Sequence, residues 1–371
     1  MKRLRFAPLL ILALAGLAGC NRQGSETEKG PAPKPPEAPR APAPPKPGGP
    51  RLFVSDETGG NVVVVDPEGG QAVEKIPVGK RPRGILLTPD GKQLLVALSG
   101  SPIAGPGVDE SKLPPPDRAA DGIGVVDLAT AKLLRTHRSG QDPEAFDVSN
   151  DGTRVYVSNE DAAEMSVLDL PSSTVVARVK VGEEPEAVTL TPDGRVAYVG
   201  CEADNEIVAV DTASNKVVGR IKTGARPRGI AFTDDGSLAF VANENDATVS
   251  VVDARKHAVV STIEIPATPG TPTVPRPMGA VISPDGRFVY VSLGRAKSIA
   301  VIDAAKRSYV RSIEDVGTRP WGIAISPDGR KLYSANGPSA DVSVIDAASG
   351  TVEKRITTGG SPWGVVAAAA Q

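Results

Sequence analysis

The stretch that decides the fold is RPRGIAFTDDGSLAFVANENDATVSVVD, residues 226–253. Two short apolar runs, 230–233 and 238–242, are separated by the tight turn Asp234, Asp235, Gly236. A polar loop leads into an alternating run at 248–253, and a fourth run follows at 259–263. Runs of this length, rich in Val, Ile, Thr and aromatic residues and bounded by turn-forming residues, predict a four-stranded antiparallel meander.

The same unit recurs along most of the chain. An aspartate ends the third run of each unit, at Asp66, Asp127, Asp169, Asp211, Asp253, Asp303 and Asp346. A proline precedes the first run, at Pro82, Pro143, Pro185, Pro227, Pro277, Pro320 and Pro362. Most spacings are 42 or 43 residues, a period typical of propellers and other repeat arrays. Each marker occurs seven times, which predicts seven repeats.

The two ends of the repeat region are incomplete in a complementary way. Residues 363–370 form a first run with nothing after it, whereas residues 52–66 supply a second and a third run without a first. Pairing the ends completes one unit and closes a ring without a long exposed edge strand. We therefore predict an all-β fold: a seven-bladed β-propeller of four-stranded antiparallel blades, closed by its N- and C-terminal strands.

Residues 1–20 have the order of a secretory signal: a basic head, an apolar run at 9–17 too short to span a membrane, and the ending Leu-Ala-Gly-Cys. This ending resembles the bacterial lipoprotein processing box, which implies that Cys20 becomes the lipidated first residue; an ordinary signal with a chance cysteine is the alternative. Residues 21–50 follow as a disordered linker, since half of residues 31–50 are proline. The propeller is expected to occupy 51–371.

Composition excludes several classes of function. The formal net charge is −2, so no basic surface favours a nucleic-acid partner. With Cys20 lipidated, Cys201 has no partner for a disulfide within the chain. The chain has two histidines, His137 and His257, placed too far apart for a transition-metal site. We expect no cofactor and no metal ion.

Several motifs resemble those of the YVTN family of β-propellers. They include VYVSN (155–159), AFVAN (239–243), VSVID (342–346), VGEEPEAV (181–188) and SPDG (283–286 and 326–329). The four letters YVTN themselves do not occur, and Leu98, Cys201 and Leu293 replace the asparagine in three repeats. The stretches RPRG, DPEAF, NGPSADVSVID and PWGV look like a subgroup associated with alcohol catabolism that depends on pyrroloquinoline quinone. The family resemblance implies a propeller outside the cytoplasm.

The residue after each marker proline is the candidate for a binding site. Propellers place the first strand innermost, so these residues should surround the mouth of the central channel: Arg83, Glu144, Glu186, Arg228, Met278, Trp321 and Trp363. One arc is charged and the other is apolar, a combination suited to an amphipathic ligand. Trp and Arg are also the residue types enriched at binding hot spots. In the alternative, the indoles plug the channel and the charged residues form salt bridges at its rim.

Two insertions, at 101–120 and 267–275, should lie on the same face as this mouth, and long loops on a rigid scaffold often carry binding functions. Glu144 and Glu186 could alternatively bind calcium or act as acid and base. Arg83 and Arg228 flank the two carboxylates, however, and salt bridging is the simpler outcome.

We therefore expect a monomeric propeller that is lipid-anchored in the cell envelope outside the cytoplasm, in the outer membrane and facing the periplasm if the cell is Gram-negative. Its function is that of a binding or scaffolding module for a protein or a small amphipathic ligand, with no catalytic residue assigned. The alternatives are an enzyme or accessory subunit of a periplasmic quinone-dependent dehydrogenase, or a hydrolase resembling calcium-dependent lactonases.

Overall fold

The computed structural model describes residues 48–103, 112–267 and 273–369. Within these ranges, 28 strands form seven sheets of four antiparallel strands each. The predicted signal peptide, nearly all of the predicted linker and the middle of each insertion lie outside the described residues. No helix among the described residues has the length and apolar character needed to cross a membrane.

The strands are numbered in chain order. The first half of the ring contains β1 (Arg51–Asp56), β2 (Asn61–Asp66), β3 (Gln71–Pro77), β4 (Pro82–Leu87), β5 (Gln93–Leu98), β6 (Gly122–Asp127), β7 (Lys132–His137), β8 (Pro143–Val148), β9 (Arg154–Asn159), β10 (Glu164–Asp169), β11 (Thr174–Lys180), β12 (Pro185–Leu190), β13 (Val196–Cys201), β14 (Glu206–Asp211) and β15 (Lys216–Lys222). Short 3-10 turns follow two second strands, at Glu160–Ala162 and Gly294–Ala296.

The second half contains β16 (Pro227–Phe232), β17 (Leu238–Asn243), β18 (Thr248–Asp253), β19 (Ala258–Glu264), β20 (Pro277–Ile282), β21 (Phe288–Leu293), β22 (Ser298–Asp303), β23 (Ser308–Ile313), β24 (Pro320–Ile325), β25 (Lys331–Asn336), β26 (Asp341–Asp346), β27 (Val352–Thr357) and β28 (Pro362–Ala368). Six blades are consecutive sets of four strands from β4 to β27, and the seventh is β28-β1-β2-β3. In that seventh blade Val54 pairs with Val365 of the C-terminal strand and with Val63 of β2. The predicted ring closure is therefore confirmed.

The inner strands begin earlier than the apolar pattern indicates. In β16, Pro227 already pairs with Asn243, and the next paired residue is Ile230, which pairs with Val241. The two residues after the proline therefore leave the regular ladder. A bulge follows the marker proline in every other blade too, although after Pro185 only Glu186 is unpaired. This bulge removes the residue after each proline from the alternating pattern of the strand.

Small residues at this bulge allow the inner strands of adjacent blades to approach one another closely. A Cβ atom added at Gly322 would lie 2.6 Å from the carbonyl oxygen of Trp363 in the next blade. Serines of the second strands reinforce the same contact: the Ser292 hydroxyl accepts from the Gly279 amide at 3.0 Å and donates to the Trp321 carbonyl at 2.7 Å. Close packing of adjacent inner strands fixes the position of the residues that precede the glycines.

The hydrophobic core lies between neighbouring sheets. Phe240 and Val251 of one blade, for example, pack with Val289 and Val291 of the next, and all four are fully buried. The Asp-Gly turns on the opposite face from the candidate mouth are structural, as their composition indicates. Each holds a hydroxyl-to-carboxylate hydrogen bond of the kind that Thr233 donates to Asp235 at 2.6 Å.

Candidate functional site

Residues from all seven inner strands line a central cavity of about 300 Å³. Five of the seven residues after the marker prolines contribute to its wall directly: Glu186, Arg228, Met278, Trp321 and Trp363. Arg83 and Glu144 do not line it, although the residues that follow them, Gly84 and Ala145, do. The structure therefore places the predicted residues around the channel. Five of them line the cavity, and Arg83 and Glu144 are buried.

The apolar arc is built on the two tryptophans of the chain. The ring centres of Trp321 and Trp363 are 6.1 Å apart and the ring planes differ by 30°. Both indoles are partly exposed, and Met278 beside them is 5% exposed. The guanidinium of Arg319 lies over the Trp321 ring, 4.5 Å from its centre, and that of Arg228 lies 5.8 Å from the same centre. The indoles thus form a wall of the cavity that is bordered by cations.

Arg83 organises one group of carboxyl groups. Its side chain is 1% exposed and forms salt bridges with Asp142 and Glu144, and it approaches Glu160 at 3.7 Å. Arg83 Nη2 also donates to the Pro143 carbonyl at 3.0 Å. One carboxylate oxygen from each of the three acidic residues lies within 4.8 Å of the others, a spacing that suits a hard cation. Here the guanidinium of Arg83 supplies the positive charge.

Arg228 organises the second group. It contacts Glu186 at 2.5 Å and Glu244 at 3.1 Å, and it also forms a salt bridge with Glu202. Arg226 contacts Glu202 and approaches Glu244 at 3.5 Å. Three carboxyl groups therefore share two guanidinium groups in this cluster.

Each cluster contains more carboxyl groups than its arginines neutralise. Burial, followed by the charge of Glu186, raises the pKa of Glu160 to about 8 and the pKa of Glu202 to about 9. Burial therefore favours the protonated form of both groups, whereas the neighbouring arginines favour the charged form. The sequence prediction missed both residues. Each of them directly follows the second strand of its blade, and this shared position was the signal that could have identified them.

Glu144 and Glu186 do not form an isolated carboxylate pair. Glu144 is bound to Arg83, and Glu186 is bound to Arg228, so each has its own arginine. The salt-bridged arrangement expected from the flanking arginines is therefore the one the structure contains. Acid–base chemistry at this mouth would instead involve Glu160 and Glu202, whose pKa values are raised.

Arg319 is a second feature that the sequence prediction missed. It precedes a marker proline and forms no salt bridge among the described residues, although it is partly buried beside Trp321. Burial lowers the pKa of Arg319; Glu244 offsets this effect in part, while the positive charges of Arg228, Arg295 and Arg226 add to it. The basic side of the mouth therefore contains a cation without a carboxylate of its own.

The remaining reactive residue types belong to the packing of the propeller. Cys201 is fully buried, and burial raises the pKa of its thiol to about 12, so the thiol stays protonated and unreactive. His137 Nδ1 hydrogen-bonds Ser173, and His257 Nδ1 lies 2.9 Å from the Tyr198 hydroxyl. Neither histidine reaches the channel cavity.

Comparison with known proteins supports the propeller fold. A family model described as "Lactonase, 7-bladed beta-propeller" matches residues 210–366, and one described as "Choice-of-anchor I domain" matches residues 53–219. Each match covers less than half of the chain. The comparison with curated proteins found no match.

Two solved structures show the same fold at low sequence identity. Hydrazine synthase of Kuenenia stuttgartiensis is 20% identical over 78% of this chain and 92% of that chain, with a TM-score of 0.64. A functionally unknown protein from Desulfotomaculum acetoxidans DSM 771 is 14% identical over 86% of this chain and 99% of that chain, with a TM-score of 0.69. These matches support a β-propeller family, and the narrower YVTN lipoprotein resemblance stays a prediction.

Proposed function

We propose that this seven-bladed β-propeller is a binding module whose channel mouth takes up a small amphipathic ligand. The observation that carries the proposal is the Trp321–Trp363 pair, which lines a cavity of about 300 Å³ instead of filling it. Concave apolar walls with a few convergent polar groups are typical of small-molecule sites. A volume at the low end of such sites fits one compact aromatic or aliphatic body.

The opposite wall of the cavity supports the polar part of such a ligand. Glu186 and Arg228 line it as a salt-bridged pair, and Glu202 lies against the same arginine. These groups are held by packing and by one another, so they can orient a ligand without first being ordered. The ligand would stack its apolar part on the indoles and direct its polar part towards the charged arc.

Binding can be tested with Prodan, a neutral amphipathic naphthalene dye. We expect full-length protein to shift the Prodan emission to the blue and to transfer energy to the dye when tryptophan is excited selectively. Because Trp321 and Trp363 are the only tryptophans, such transfer shows that the dye binds within energy-transfer distance of this pair. A folded Trp321→Ala/Trp363→Ala variant should lose the blue shift, whereas Leu134→Ala, at an exposed site on outer strand β7, should keep it.

An unchanged blue shift in the folded double variant would contradict the proposal. A protein ligand is the competing occupant of the same mouth. Capture of a membrane protein by wild type but not by the double variant, without any Prodan binding, would replace the small-ligand proposal with that alternative.

A hydrolytic function is the second candidate. The match to the lactonase model and the raised pKa values of Glu160 and Glu202 favour it, since a general acid must carry a proton at the working pH. Hydrolysis of the aromatic lactone dihydrocoumarin, abolished by Glu202→Gln, would support this candidate. An equal rate in wild type and Glu202→Gln would exclude Glu202 as the acid.

We also propose that the protein is tethered through Cys20 to a membrane of the cell envelope, outside the cytoplasm, as the lipoprotein-like ending at 17–20 implies. Metabolic labelling with a palmitate analogue should label wild type in a bacterial host. Cys20→Ala should abolish the label and release the propeller from the membrane fraction. Persistent labelling of the Cys20→Ala variant would contradict the anchor.

A further inference from the structure

The arginines of the channel mouth differ in how their charges are neutralised. Arg81 contacts Glu57 at 2.9 Å, and Arg83 forms salt bridges with Asp142 and Glu144. Arg226 and Arg228 share the Glu186, Glu202 and Glu244 cluster. Each of these four arginines therefore has a carboxyl partner among the described residues.

On the other half of the mouth, three arginines form no salt bridge with any described residue. Arg276 donates to the neutral amide of Asn245, and Arg295 is exposed after the second strand of the same blade. In the next blade Arg319 lies over Trp321, and no salt bridge to it is present among the described residues. Burial is the main cause of the lowered pKa of Arg319; Glu244 opposes this effect, and the charges of Arg228 and Arg295 add to it. A partly buried guanidinium without a salt bridge attracts an anion.

The position of Arg319 relates this charge to the cavity. Its guanidinium carbon is 4.5 Å from the centre of the Trp321 ring, and the same indole lines the channel cavity beside Trp363. A ligand that stacks on the indole pair therefore places its edge near a guanidinium group with unused donors. Guanidinium binds carboxylate through two parallel hydrogen bonds, which gives both energy and orientation.

We infer that the mouth selects planar aromatic carboxylates, with the aromatic body against Trp321 and Trp363 and the carboxylate on Arg319. This inference rests on the proposed binding function and adds the chemical class of its ligand. Arg319 is the specificity-determining residue in this arrangement, since the tryptophans bind the aromatic body whatever its charge. Neutral polar groups of such a ligand can still face the wall formed by Glu186 and Arg228, whereas the carboxylates of that wall disfavour a ligand carboxylate.

The test compares three probes of one shape: naphthoate, neutral naphthalenemethanol and naphthylmethylammonium. Their affinities for full-length wild type are measured by isothermal titration calorimetry. We expect naphthoate to bind about tenfold more tightly than the alcohol, which corresponds to about 1.4 kcal/mol, and the ammonium ion to bind most weakly. Raising the ionic strength should reduce the preference for naphthoate without affecting the alcohol.

Variants assign the preference to Arg319. Arg319→Gln should bind naphthoate and the alcohol equally, with the affinity for the alcohol close to that of wild type. Arg319→Lys, which keeps the charge without the planar donor pair, should retain part of the preference. Arg255→Gln, which removes an exposed positive charge on the opposite face, should behave as wild type.

The outcomes separate this inference from the proposal on which it rests. Equal binding of naphthoate and the alcohol by wild type would overturn the carboxylate inference and leave the binding function standing. A naphthoate preference that persists in folded Arg319→Gln would also overturn the role of Arg319. Failure of all three probes and of Prodan to bind would contradict the binding function itself.

Discussion

Trp321 and Trp363 face each other across a blade boundary, with ring centres 6.1 Å apart. Trp321 belongs to β24, the inner strand of the last complete blade in the sequence, and Trp363 belongs to β28, the C-terminal strand that closes the ring. Half of the aromatic wall is therefore supplied by the strand that pairs with the N-terminal strand β1. Ring closure and assembly of the candidate site depend on the same segment.

Removal of residues 362–371 deletes β28 and exposes the edge of β1. We expect the truncated protein to lose its single cooperative thermal transition and to aggregate, because an unpaired inner edge is a template for intermolecular strand pairing. Removal of residues 370–371 alone leaves β28 intact and should not change the transition. Cooperative unfolding of the longer truncation at the wild-type temperature would contradict the closure described here.

Gly322→Ala should destabilise the propeller because the new methyl group would lie 2.6 Å from the carbonyl oxygen of Trp363. We expect the free energy of unfolding to fall by about 1–3 kcal/mol, as is usual when an atom is forced into a packed interior. Gly337→Ala is the matched control, since its nearest neighbour would be the Ser361 hydroxyl at an ordinary 3.4 Å. Equal stability of the two variants in urea titrations would argue against the close approach of β24 and β28.

Arg83→Gln should be among the most destabilising single substitutions. It leaves Asp142 and Glu144 buried without their cation, and breaking a buried ion pair from one side costs about 3–5 kcal/mol. Arg330→Gln removes a highly exposed arginine that only approaches Asp328 at 3.9 Å, and it should cost almost nothing. Similar midpoints of chemical unfolding for the two variants would show that Arg83 does not neutralise the acidic arc.

Stability should decrease as the pH rises from about 5 to about 9. In the folded state Glu202 keeps its proton up to a pKa of about 9, whereas in the unfolded chain it loses the proton near its ordinary pKa. Between these values the folded state binds more protons, so raising the pH favours unfolding, by at most about 1.4 kcal/mol per pH unit for one group. Glu202→Gln should flatten this slope.

Glu353→Gln, at an exposed position on β27, is the control for that measurement and should retain the wild-type slope. Part of the slope should remain in Glu202→Gln, since the pKa of Glu160 is also raised, to about 8. A slope as steep as that of wild type would instead show that Glu202 does not contribute.

The period of the markers was sufficient to predict the blades, their number and the closure of the ring. The period did not predict the bulge after Pro227. The apolar pattern begins only at Ile230, whereas backbone pairing already begins at Pro227. The mouth residues could still be located, since each follows a marker proline.

The pairing of charges at the mouth could not be read from the sequence. Glu202 meets Arg226 and Arg228 of the next blade, at distances along the chain that have no local pattern. The raised pKa of Glu202 results from burial and from Glu186 together, and both depend on the assembled ring. Arg319 is likewise significant because no carboxylate among the described residues forms a salt bridge with it. Only the three-dimensional structure reveals this.

The most direct test of the central claim uses the indole N–H groups as reporters. With two tryptophans in the chain, a proton–nitrogen correlation spectrum of the full-length protein contains two indole signals, which Trp321→Phe and Trp363→Phe assign. On titration with naphthalenemethanol, we predict that both signals shift together and yield the same dissociation constant. Binding of the probe, measured by calorimetry, while both indole signals stay in place would contradict a ligand site at the channel mouth.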